Sequence, residues 1–287
     1  MTSSLGDNLG TETAMTFRNR LYANGKSRNT VKMYGYIAQK YLEFIGYKKS
    51  NITREGIEDF KEHLSIDLGY SKTSVYLYIR ALQSLLEFLE IPDFGPLNPP
   101  KRPQKVPNYL IEEEVTQMLN CSTNQKEKLI VELLAYTGVR VSELCAIRIN
   151  DIDLTNRSLR IRGGKGDKDR LVIFSDRIIP DLRLYTLETR ERNPKNEFLF
   201  PTTKSKRISP VTVERIVRNL AKRAGISKKV TPHVLRHTFA TSLLRNGADI
   251  RIIQVLLGHS SISTTQIYTH VDDGALRRSY EKYAPSY

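Results

Sequence analysis

Between Asn29 and Gly46 the run NTVKMYGYIAQKYLEFIG places Val31, Tyr34, Ala38, Tyr41, Leu42 and Ile45 at steps of three and four. Such spacing gathers apolar side chains on one face of a helix, and Gly46 is its stop. SKTSVYLYIRALQSLLEFLE repeats the pattern with Val75, Tyr78, Ile79, Leu82, Leu85, Leu86 and Leu89. TREGIEDFKEHL and the segment around Phe17 and Leu21 predict two further helices. Residues 11 to about 90 therefore read as a small all-α unit.

The pattern breaks at IPDFGPLNPPKRPQKVPNYL, which holds Pro92, Pro96, Pro99, Pro100, Pro103 and Pro107, half of the chain's twelve prolines. A stretch so rich in proline is extended and semi-rigid. It predicts a helical domain over 1–91, a linker over 92–107 and a second domain over 108–287. The second domain opens with helical periodicity in IEEEVTQMLN and QKEKLIVELLAYTGVR. A short β patch follows in IDL, SLRIR and RLVIF, the last two joined by GGKGDKD. SPVTVERIVRNLAKRAG and TPHVLRHTFATSLLRNG each start with a capping hydroxyl, Ser209 or Thr231, and a proline at the first turn. DIRIIQVLLG stops at Gly258, and SISTTQIYTH carries Ser263 and Gln266 at capping-box spacing. The fold class is mainly α, with two domains and one small antiparallel sheet.

Charge changes this picture. Forty-five Lys and Arg against 31 Asp and Glu leave a net charge of +14, which draws a polyanion by counterion release. Nucleic acid is the leading partner, although solvated lysines produce the same balance. Cys121 and Cys145 have no CxxC partner and read as two buried, reduced thiols of an intracellular, cytoplasmic protein. No secretory signal opens the chain. LIVELLAY, its most apolar segment, is interrupted by Glu132 and too short to cross a bilayer, so no membrane association is expected.

Several positions are suited to binding a phosphate. Thr231 as cap would set His233 and Arg236 on one face of a helix's first turns, where free N–H groups favour an anion. His233 and His237 as a metal pair is the rival, but the Glu that follows the first His in a zinc-protease helix is absent. Arg140 follows the break at Gly138, with Glu143 either orienting it or standing as a surface charge. Lys165 sits in the glycine-rich turn RGGKGDKDR, which lacks the GxxxxGK[ST] spacing of a nucleotide-hydrolysing loop. Each of these features also occurs without any function.

In order along the chain, TGVRVSEL, GGKGDKDR, HVLRH, LLGH and IYTH together resemble the tyrosine recombinases, or phage integrase family. The likeness covers nearly the whole chain. Its size and its ending, IYTHVDDGALRRSYEKY, are most similar to the Xer recombinases that act on chromosomes, in an archaeal form. The resemblance implies a two-domain clamp around double-stranded DNA bearing a specific recombination site. It also implies dimers, and tetramers in the synaptic complex, resolving chromosome dimers at a dif-like site. Arg140 and Arg236 would clamp the scissile phosphate, and His233 would handle protons between them. Lys165 would act as general acid toward the 5′ oxygen. His259 would hydrogen-bond the phosphate, and Tyr268 would attack it to form a 3′-phosphotyrosine. No metal, cofactor, ATP or small-molecule substrate is called for.

Two alternatives stay open. A type IB topoisomerase uses similar chemistry without exchanging partners; the small helical N-terminal unit and a tail suited to docking on a neighbouring protomer favour the recombinase. A non-catalytic basic DNA-binding protein would have no need of a phenol opposite two arginines. Lys72, Thr73, Arg80, Lys204, Lys206 and Arg207 are candidate DNA readers, but each reads more readily as a solvated surface residue and none is placed among the site residues.

Overall fold

The computed structural model describes residues 9–10, 12–91, 97–101, 108–163, 169–203, 205–258 and 273–287 of the 287. The chain divides into two compact units, 1–105 and 106–287. In the first, helices α1 (Glu12–Ala23), α2 (Arg28–Phe44), α3 (Arg54–Ser65) and α4 (Lys72–Phe88) form a bundle, with a 3₁₀ turn at Lys49–Asn51. The hydroxyls of Ser27, Thr53 and Ser71 accept the N–H groups of Thr30, Gly56 and Ser74 and so start α2, α3 and α4. α2 ends as its glycine predicts. Gly46 takes φ +65°, and the N–H groups of Gly46 and Tyr47 donate back to Glu43 and Leu42. The predicted stripes face inward, and Tyr41 meets Phe60 edge-on at 5.2 Å between ring centres. Val31 and Tyr34 lie at the margin of that core and are partly buried.

The second unit is built around α6 (Gln125–Thr137), whose residues Leu129 to Thr137 are all buried. A helix apolar on every side belongs at the centre of a domain. α5 (Glu112–Asn120), α8 (Ile179–Arg192), α9 (Pro210–Arg223) and α10 (Pro232–Arg245) pack around it. The sheet runs β1 (Ile152–Asp153), β2 (Ser158–Ile161), β3 (Arg170–Ile173), antiparallel throughout, with Leu159 opposite Val172 and Ile161 opposite Arg170. A one-turn helix α7 (Val141–Leu144) follows α6. A smaller core joins α10, α11 (Ile250–Leu257) and α12 (Asp273–Tyr283) through Phe239, Leu243, Ile253, Leu257 and Tyr280. The predicted helix in SISTTQIYTH lies outside the described residues, as do most of the linker and the turn 164–168.

Periodicity did not predict α7, α8 or α12. In α8, Leu182, Tyr185 and Thr189 face the core, but Leu184 and Leu187 are 50% and 56% exposed, so apolar residues surround the helix and blur its stripe. Pro180 at its start was the available signal. Cys121 also differs from expectation. It stands half-buried at the end of α5, whereas Cys145 is buried and its thiol is pushed up to about 11 by desolvation. The tail packs on its own unit: the Tyr280 hydroxyl donates to the Tyr136 carbonyl at 2.8 Å, and Asn246 Nδ2 to the Tyr283 carbonyl at 3.0 Å. Among the described residues no helix is long and apolar enough to cross a membrane.

Glu132, the charge that interrupts the apolar run, lies inside the core at 4% exposure, with Oε2 unpartnered. Burial and then the neighbouring Asp181 carboxylate push its pKa up to about 8, while Lys128, 3.8 Å away, acts in the opposite sense. The folded protein therefore keeps a proton that the unfolded chain loses above about pH 4.5. Stability is expected to fall as pH rises from about 4.5 to 8. Glu132→Gln removes this titration, so its melting temperature should exceed the wild type's by more at pH 8 than at pH 5. An equal difference at both pH values would refute the assignment.

Candidate active site

Two helix ends that stop on glycine build the site. Gly138 ends α6 at φ +62°, and Gly258 ends α11 at φ +62°. Beyond its φ, Gly138 has no room for a side chain: a Cβ there would stand 2.5 Å from the Phe239 ring and 2.8 Å from Leu257. α6, α10 and α11 meet closely at this point. The last carbonyls of a helix have no partner within it. Here arginines supply one.

Arg236, on the second turn of α10, is 6% exposed and donates to the Gly138 carbonyl and, at 2.7 Å, to the Leu257 carbonyl. Arg140 caps α7 and donates through Nη2 to the Gly258 carbonyl at 2.9 Å. Two predicted arginines, distant in sequence, thus converge on adjacent carbonyls immediately before His259. Burial first, and then the nearby Arg140, push Arg236 down to about 10, so it still carries its charge at neutral pH.

Glu143 is no surface charge. It is buried, and its carboxylate accepts the Arg140 N–H at 2.7 Å and Arg140 Nη1 at 2.8 Å. It also accepts a fork from Arg170, Nη1 to Oε1 at 2.6 Å and Nη2 to Oε2 at 2.8 Å. Burial alone would raise its pKa; the bonds and charge of Arg170, then those of Arg140, outweigh it and hold the carboxyl at about 2. Two guanidinium groups thus share one carboxylate, and Arg236 feels its charge without bonding it, which leaves local positive charge beside the end of α11. Arg170 was absent from the sequence-based candidates. The signal was strand alternation: two residues before core-facing Val172, it lies on the same face of β3.

The Thr231 hydroxyl accepts the Val234 N–H at 3.3 Å and caps α10 as expected. His233, on the first turn, is exposed. His237 is half-buried against Tyr109, and desolvation, then His233, push its pKa down. Lys165, His259 and Tyr268 lie outside the described residues. Of the candidate readers, Lys72, Thr73 and Arg80 are exposed on α4; Lys206 and Arg207 are exposed in the loop before α9, the Arg207 guanidinium 5.5 Å from the Phe198 ring centre; Lys204 is not described. Among the described residues no three His, Cys, Asp or Glu side chains are grouped to hold a metal.

The sequence profile of the phage integrase family matches residues 108–274. The chain belongs to the phage integrase family. Tyrosine recombinase XerA of Pyrococcus furiosus is 41% identical to this recombinase over 280 residues, covering 96% of this chain and 94% of the relative. The crystal structure of XerA recombinase aligns with a TM-score of 0.52 at 45% identity, over 96% of this chain and 99% of that one. XerH bound to a palindromic difH substrate in a post-cleavage complex aligns with a TM-score of 0.71 at 22% identity, over 96% and 90% of the two chains, and shares the fold. The protein is a tyrosine recombinase, an enzyme of site-specific DNA recombination.

Proposed function

We propose that this recombinase cleaves and rejoins duplex DNA at a dif-like site through a 3′-phosphotyrosine on Tyr268, and so resolves chromosome dimers in the cytoplasm. The convergence of Arg140 and Arg236 on the carbonyls of Gly258 and Leu257 carries the reading. It concentrates positive charge within a few residues of His259 in sequence. Attack on a phosphodiester adds negative charge to its equatorial oxygens, and fixed cationic donors stabilise that charge. Arg140 and Arg236 would clamp the phosphate, and His259 would donate a further hydrogen bond. The exposed His233 would take up and return protons.

A phenol with a pKa of about 10 is almost wholly protonated near neutrality and needs a base or cationic surroundings to attack. His233 and the arginines would provide both. The departing 5′ oxygen needs a proton, which Lys165 would give. The phosphotyrosine ester keeps the energy of the broken bond, so a new 5′ hydroxyl reseals the strand without ATP or metal. The helical unit would bind one side of the duplex and the catalytic unit the other, with phosphate contacts giving affinity and groove contacts the site. Dimers would bind a single site, and two sites would meet in a tetramer.

A nicked duplex carrying the dif-like site, incubated with the protein and resolved under denaturing conditions, is expected to yield a covalent adduct. Mixing two marked duplexes should then yield hybrid products. An adduct with relaxation of supercoils but no hybrids would make the protein a topoisomerase, and absence of any adduct would refute the mechanism.

A further inference from the structure

Arg170 is the cation that the six predicted residues leave out. Its guanidinium covers both oxygens of Glu143, while the same two oxygens hold the backbone and side chain of Arg140. Its stem lies over Gly258: a Cβ at that glycine would stand 2.7 Å from Arg170 Cδ and 2.8 Å from Nε. The Gly258 carbonyl is the acceptor for Arg140 Nη2. The Arg170 side chain is 14% exposed, and its Nε is buried with no partner. One side chain at the start of β3 thus fixes the start of α7 through Glu143 and lies against the end of α11.

Resting on the function proposed above, we propose that Arg170 is a positioning residue for DNA cleavage, acting on the phosphate through Arg140 by way of Glu143. Charge and geometry both require it. Glu143 paired with Arg140 alone would cancel the charge meant for the phosphate. A second guanidinium on the same carboxylate leaves that charge available, as a bidentate fork does without competing for the same lone pairs. The fork also locks the Glu143 rotamer and therefore the direction of the Arg140 guanidinium. Lysine, a point charge on a flexible stem, would keep the charge and lose the lock.

The test measures single-turnover adduct formation and DNA affinity separately, on a nicked duplex carrying the dif-like site. Arg170→Ala is expected to slow adduct formation by about 100-fold with unchanged affinity, the usual cost of a misdirected catalytic group. Arg170→Lys, which keeps the charge and is the variant that decides the matter if the alanine protein fails to fold, should be slowed by about tenfold, again with unchanged affinity. Adduct formation by Arg170→Lys at the wild-type rate overturns the positioning role. Affinity that falls as far as the rate overturns it too, because the residue then acts on binding. If the wild type itself forms no adduct on this duplex, the function reading fails first; if only the variants match the wild type, that reading stands and the role of Arg170 does not.

Discussion

Replacing Tyr268 with phenylalanine is expected to abolish the covalent protein–DNA adduct while DNA binding persists. The change removes one oxygen and leaves the ring, so any loss is chemical. Where a nucleophile has been removed from other enzymes the rate falls by up to about 10⁶-fold. Burial holds the phenols of Tyr41, Tyr78, Tyr136, Tyr185, Tyr280 and Tyr287 above their ordinary range, which keeps them protonated. Tyr280 and Tyr136 already donate their hydroxyls to carbonyls of the core and the tail. Tyr22→Phe, at a position 60% exposed on α1, is the control and should form adduct like the wild type. Adduct from Tyr268→Phe at the wild-type rate would place the nucleophile elsewhere.

Arg236→Ala should show the second-largest loss, and in two measurements at once. Its guanidinium is the partner of the carbonyls of Gly138 and Leu257 in a place closed to water. An acceptor left unpaired in such a place costs about 1–3 kcal/mol, so the variant is expected to unfold at lower urea than the wild type. Loss of a fixed donor at the phosphate should slow adduct formation by about 10²- to 10³-fold beyond any loss of folded protein. Arg236→Lys separates the two effects. It keeps a cation but cannot reach both carbonyls as a planar fork, so it should regain part of the rate and little of the stability. Full activity in folded Arg236→Ala, compared at equal folded concentration, would remove Arg236 from the site.

Local signals were legible wherever the residues that set a structure lie within a turn or two of it. Ser209 and Thr231 cap helices as their positions in the sequence imply, and Ser27, Thr53 and Ser71 do the same in the first unit. Gly46, Gly138 and Gly258 adopt the left-handed backbone that ends a helix, because only glycine does so without strain. The stripes of α2 and α4 and the alternation of β2 likewise follow from periods of 3.6 and 2. Where a pattern was blurred, as in α8, the helix was missed, since packing against α6 holds it in place despite a weak stripe.

The chain by itself therefore determined the mainly helical architecture, the family likeness and the residue types suited to a phosphate. The meaning of the charges among them was decided by tertiary structure. Glu132, Glu143 and Arg170 look alike in sequence to charges on any surface, yet one is a buried acid, one a shared carboxylate and one the fork that grips it. Arg140 and Arg236 converge only where the glycine ends of α6 and α11 pack together against α10. Electrostatic energy depends on distance through space and on exclusion of water, and neither is set until the chain has packed.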